Sequence, residues 1–162
     1  MLRNLSVVVA HARDFARSGA VAGLMTALES LPGHHELAAN AARVLSKLSM
    51  VAACQAELAG SVASLDLLLS TAERFRDDRS LAVRLVFALA NVTTTSDAAR
   101  DVMAGVPGAA ARVAALAGHF ADAQGGAEVL LRLMRWGLHV GASGRGSSRL
   151  ACSASAPLHQ YQ

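Results

Sequence analysis

LAVRLVFALANVT, residues 81–93, decides how the rest of the chain reads. Leu81, Leu85, Ala88, Leu89 and Val92 recur at three- and four-residue steps, which lines them up on one buried face of an α-helix. Arg84, Phe87 and Asn91 fall at i, i+3 and i+7 and share a different face. A Phe held in water beside an Arg and an Asn is costly unless that face meets something.

Working outward, the stretch has copies. LRNLS at 2–6, LSKLS at 45–49 and LANVT at 89–93 place Asn4, Lys47 and Asn91 at equivalent positions, 43 and 44 residues apart. A short helical pattern follows each copy and ends at a glycine, and Gly19, Gly60 and Gly105 are spaced by 41 and 45. Two independent markers thus give one period near 43, in the range of helical repeat arrays. A weaker fourth copy begins at EVLLRLM, residues 128–134.

Each unit is expected to hold three helices. In the central unit, a short helix from about Met50 to Ala59 ends where Gly60 adopts a left-handed turn. A second runs from Val62 to Phe75, with Leu65, Leu68, Leu69 and Ala72 on one side. Arg76 to Arg79 is a charged loop, and the third helix is the opening stretch. Ser96 caps the next short helix. The unit before it has helices at about His11–Ser18, Val21–Leu31 and Glu36–Leu48. The unit after it has helices at about 98–104 and 110–121. The chain therefore divides into a partial repeat at 1–10, repeats at about 11–49, 50–93 and 94–140, and a Gly/Ser/Ala-rich tail at 141–162 with no periodic apolar face, expected to be disordered. The chain opens on what reads as the last turns of a third helix. Neither end carries the polar cap a solenoid needs, so a fragment of a longer array is expected.

Composition agrees with an all-α reading. The 162 residues are 53% hydrophobic but only 4% aromatic, and alanine-rich helices can pack closely. A net charge of +3 is too mild to point to nucleic acid. No run of about 18 uncharged apolar residues is present, so no membrane span is expected. Cys54 and Cys152 form no disulfide framework and fit a reducing, cytoplasmic setting. The arginines of residues 1–17 could mimic a mitochondrial leader, but the same residues fit the repeat.

A period near 42, three helices per unit, a glycine between the first two and a third helix ending Leu-x-Asn-Leu/Val-Ser/Thr resemble the armadillo repeat over roughly residues 1–136. The resemblance implies a right-handed armadillo-type α-solenoid of about three three-helix repeats. A ciliary and flagellar branch of the family is the nearer match. It shares Ser46-Lys47-Leu48-Ser49, Val83-Arg84, Phe87, Leu89, Asn91, Thr93 and Ala99-Arg100 with this chain. That resemblance implies a non-catalytic scaffold supplying radial spokes to the axoneme, with ciliary proteins as partners and the cilium as its place. The pattern departs from the family at Trp136.

In peptide-binding armadillo proteins the last Asn of the third helix bonds an extended partner's backbone, and an aromatic one turn earlier packs its side chain. Phe87 and Asn91 match those positions. One unit earlier the offset of 44 puts Asn40, Arg43 and Lys47 beside Arg84, Phe87 and Asn91. The candidate partner-binding groove is therefore Asn4, Asn40, Arg43, Lys47, Arg84, Phe87 and Asn91, lying on the concave face. Two positive charges there ask for acidic groups on the partner. The plainer reading is that Asn91 satisfies a backbone group at the helix end and Phe87 is core.

A generic armadillo adaptor in nuclear import or signalling is the competing function. It calls for a regular Trp/Asn ladder and an acidic groove, which Arg43 and Lys47 oppose. Weak nucleic-acid binding through the basic groove and tail would show steep salt dependence. His34-His35 lacks further ligands and reads as a solvated loop capping the third helix. Asp77-Asp78 between Arg76 and Arg79 reads as a solvated mixed-charge loop. The Asn4 and Asn91 glycosylation triplets read as a coincidence of the repeat. No nucleophile with a base partner appears, so no enzyme, cofactor or metal is expected.

Overall fold

The computed structural model describes residues 12–120. The partial repeat at 1–10, the fourth copy at 128–134 and the tail at 141–162 lie outside the described residues. Among the described residues the chain is all-α, with eight helices and no strand. They are α1 (Ala12–Arg17), α2 (Ala20–Ser30), α3 (His35–Leu48), α4 (Ala52–Leu58), α5 (Val62–Arg74), α6 (Arg79–Thr95), α7 (Asp97–Ala104) and α8 (Ala109–Phe120).

Local chemistry sets their ends. A helix start leaves backbone N–H groups without partners, and four side chains here supply the acceptor. His34 Nδ1 accepts from the Leu37 N–H at 3.1 Å, the Ser61 hydroxyl from Ser64 at 3.1 Å, the Asp78 carboxylate from Leu81 at 3.1 Å and the Ser96 hydroxyl from Ala99 at 3.2 Å. The caps at Ser96 and in the His34-His35 loop match the sequence reading. Gly19 turns the chain between α1 and α2 in a left-handed conformation at φ 68°, and Gly108 does the same before α8 at φ 64°. Both values suit a residue without a Cβ.

Three expectations need correction. Gly60 is not left-handed. It is needed for room, since a Cβ there would sit 3.2 Å from the Glu57 carbonyl oxygen. Arg79 is not in the loop but opens α6, because Asp78 caps the helix one residue earlier than the charge pattern suggested. At its other end α6 runs past Thr93 to Thr95. The hydroxyls of Thr93 and Thr95 bond the carbonyls of Leu89 and Asn91 at 2.8 and 2.9 Å, which keeps these β-branched polar residues inside the helix.

α1 packs on α4, α2 on α5, α5 on α8 and α3 on α6, so each of these helices meets the third one along the chain. The broadest of these contacts joins α3 to α6, followed by α5 against α6. Leu45, Leu65, Leu68, Leu69, Leu81 and Leu85 are wholly buried in one continuous core. Each such leucine contributes about 2 kcal/mol by leaving water. α3 and α6 also bury Ala38, Ala41, Ala42, Ala82, Ala88 and Ala90, whose small side chains allow a close helix contact.

Candidate protein-docking face

The face of interest is built on α3 and α6, the most closely joined pair of helices from successive units. On α6 the predicted core positions Leu81, Leu85, Ala88, Leu89 and Val92 are all buried. That burial fixes the helix rotation and leaves Arg84, Phe87 and Asn91 half-buried at its border. On α3, burial of Ala41, Val44, Leu45 and Leu48 likewise leaves Arg43 and Lys47 half-buried and Asn40 exposed. The i, i+3, i+7 set of each helix therefore stays in reach of solvent. Asn4 lies outside the described residues.

Among the described residues the charges on this face are not matched by acids. Arg84 donates from Nη1 to the Ser80 hydroxyl and to the Ser80 carbonyl at 3.3 Å, both neutral groups. Arg43 and Lys47 make no ion pair or side-chain hydrogen bond among the described residues. Elsewhere guanidinium groups are engaged. Arg112 reaches Asp66 at 2.6 Å and Glu73 at 2.7 Å, and Arg100 pairs with Asp97.

Asn91 has a different environment from the one expected. Its side-chain amide donates to the Ser49 hydroxyl at 3.0 Å, 42 residues back in the preceding unit. Ser49 is wholly buried, and its own hydroxyl donates to the Ser46 carbonyl at 2.8 Å. Gln55 donates to the Ser49 carbonyl at 2.6 Å and accepts from the Thr95 hydroxyl at 3.0 Å. Asn91 thus satisfies a side-chain hydroxyl of the neighbouring unit, not merely a backbone group of its own helix end.

Two further ties cross between units. His35 Nε2 lies 2.8 Å from Asp78 Oδ2, and the His35 ring meets Phe75 edge-on at 5.6 Å. The Leu81 N–H at the helix start, and then the bond to His35, hold the Asp78 carboxyl below its ordinary range against the opposing effect of burial. The Asp77-Asp78 loop is therefore only half solvated, since Asp78 is both cap and tie. The second tie is Arg112 on α8, bonded by all three guanidinium nitrogens to Glu73, Asp66 and the Ser70 hydroxyl of α5. Its hydrogen bonds to Glu73, then Asp66, raise the Arg112 pKa still further above its high ordinary value.

Ser49, Gln55, Thr95 and Arg112 were missed in the sequence. The signal was present as complementary polar pairs at the repeat spacing. Ser49 and Asn91 are 42 apart, Ser70 and Arg112 are 42 apart, and His35 and Asp78 are 43 apart.

Elsewhere the chemistry is plain. Cys54 is wholly buried, and burial, then the nearby Glu57 charge, pushes its thiol pKa up, away from the reactive thiolate. Among the described residues no group of three or more His, Cys, Asp and Glu side chains is placed to hold a metal ion. Among the same residues no single helix is long and apolar enough to cross a membrane.

No family model matches the chain. No solved structure matches it. Two curated proteins do. Armadillo repeat-containing protein 2 of Mus musculus is 32% identical over 101 residues, and the protein of the same name from Homo sapiens is 32% identical over 100 residues. Each alignment covers 62% of this chain but 12% of the relative, so the chain spans a small part of the length of the proteins it matches. The armadillo-repeat resemblance read from the 43-residue period is thus matched by similarity to two named armadillo-repeat proteins.

Proposed function

We propose that the chain is a stretch of right-handed armadillo-type α-solenoid acting as a non-catalytic protein-interaction scaffold. Its partner is a protein segment laid along the α3–α6 face against Asn40, Arg43, Lys47, Arg84 and Phe87, with Asn91 at the border of that face. The solenoid reading is supported by the meeting of like helices in successive units, α1 with α4, α2 with α5 and α3 with α6. The scaffold reading rests most on one observation, that the core leaves Asn40, Arg43 and Lys47 of α3 and Arg84, Phe87 and Asn91 of α6 in reach of solvent. The setting we propose is cilium or flagellum assembly, in the supply of radial spokes to the axoneme. Its support is the resemblance to the two relatives. A nuclear-import adaptor would bring basic cargo against Arg43, Lys47 and Arg84, where like charges repel.

The test is a pull-down from ciliated cells with the wild-type chain and an Arg43→Glu/Lys47→Glu variant. The expected result is recovery of axonemal proteins by the wild type and their loss from the variant. Equal recovery by both opposes the reading, as does recovery of import factors in place of axonemal proteins.

A further inference from the structure

We infer that the α3–α6 face selects an acidic protein segment through Arg43, Lys47 and Arg84, and that Asn91 serves to hold the two units in register rather than to bind the partner. The inference deepens the scaffold reading and rests on it.

The division of labour follows from what each side chain already does. Asn91 spends an amide N–H on Ser49, whose hydroxyl is wholly buried and reaches no water. Turning that amide toward a ligand would take away the donor to the buried Ser49 oxygen, whose hydroxyl still donates to the Ser46 carbonyl, and any ligand bond would have to exceed that loss. The Gln55 bridge to Ser49 and Thr95 draws the same point of the joint together from both sides. By contrast, Arg43 and Lys47 meet no acid among the described residues, and Arg84 meets only Ser80.

Two of the three cations share one face of one helix. Arg43 and Lys47 are four residues apart on α3, about 6 Å along the helix axis. Carboxylates on alternate residues of an extended chain are about 6.6 Å apart, so one strand-like segment can meet both. Arg84 lies on α6, which packs against α3 at an interaxial distance of about 8–10 Å. Glu36 shares the α3 stripe but stands at its N-terminal end, seven residues before Arg43, or about 10 Å away. The positive charge is therefore concentrated at the C-terminal half of α3 and beside it.

The experiment is fluorescence anisotropy on the full 162-residue chain with two labelled peptides, one of alternating Glu and Ser, the other of alternating Lys and Ser. The acidic peptide should bind more tightly than the basic one by about tenfold or more, and its affinity should fall with added salt. Arg43→Glu/Lys47→Glu should abolish that preference. Asn91→Ala, assayed at a temperature where circular dichroism shows it folded, should keep the affinity within about twofold. Absence of a preference for the acidic peptide, or its persistence after charge reversal, overturns the proposal. Loss of binding in folded Asn91→Ala also overturns it, by returning Asn91 to the partner surface. If the acidic preference fails while the pull-down still recovers axonemal proteins, the scaffold reading stands and only this chemistry falls.

Discussion

The Asn91 amide and the Ser49 hydroxyl, 42 residues apart in sequence, meet at 3.0 Å across the joint between two successive units. The bond sits where the end of α3 meets the last turns of α6. It makes the polar ending of α6 a fastening to the end of α3. Asn91→Ala should therefore cost about 1 kcal/mol, the worth of a partly buried hydrogen bond. Urea unfolding of Asn91→Ala, Ser49→Ala and the double variant checks it. A double variant little worse than either single one is expected, because the two side chains share one interaction. Simple additivity would show that they do not.

Arg112 offers a second test of the joint. Its guanidinium spans two carboxylates and a hydroxyl on α5. Arg112→Ala leaves Asp66 and Glu73 facing each other without a cation. A loss of about 1 kcal/mol is expected, kept modest because all three side chains are partly in water. Arg112→Lys should recover less than half of that loss, since an ammonium cannot reproduce the planar fork. Thermal melts at low and high salt would check both, with the gap between wild type and Arg112→Ala narrowing at high salt.

Asp78 ties a pH dependence to the start of α6. Its carboxyl is held below the ordinary value, first by the Leu81 N–H and then by His35. A carboxylate favoured in the folded state contributes stability above its unfolded pKa, near 4, and that contribution disappears as the pH falls through the lower folded value. Asp78→Asn should thus melt below the wild type at neutral pH, by roughly a few tenths of a kcal/mol because the group is still partly in water. The difference should shrink as the pH falls from about 4 through the lower folded value. A difference constant across that range would contradict the assignment.

The glycines separate local from inter-unit causes. At Gly105 an added Cβ would lie 3.0 Å from Val62 Cγ2 of the preceding unit. Gly105→Ala should destabilise by about 1 kcal/mol, and Val62→Ala should relieve part of it. Gly23 and Gly118 lie within α2 and α8 and meet nothing within 4 Å. Alanine at either should stabilise by about 0.5–1 kcal/mol. Chemical denaturation of the three single variants decides whether Gly105 is a packing glycine.

Much of the helical order was legible because it depends on neighbours in sequence. The leucine spacing of 81–92 fixed which side of α6 is buried, and Ser96 announced its role by preceding a helix. Gly19 was read as the glycine that ends the first short helix and turns the chain there at φ 68°, whereas the left-handed reading failed at Gly60, where close approach and not backbone hand is at issue. The equal i, i+3, i+7 spacing of Asn40, Arg43 and Lys47 and of Arg84, Phe87 and Asn91 was also available, and all six stay in reach of solvent. The Ser49–Asn91, Arg112–Glu73 and His35–Asp78 contacts were not read, because they depend on how far one unit is staggered and rotated against the next. A periodic pattern gives the repeat length but not that stagger.

The most direct test of the docking face is photo-crosslinking from a defined position in ciliated cells. A photoreactive side chain is placed at Asn40, exposed on the α3 stripe, or at Ala63, exposed on α5. If partners lie along the α3–α6 face, crosslinks to axonemal proteins form from Asn40 and are absent from Ala63. Equal labelling from both positions, or labelling from Ala63 alone, would contradict the account.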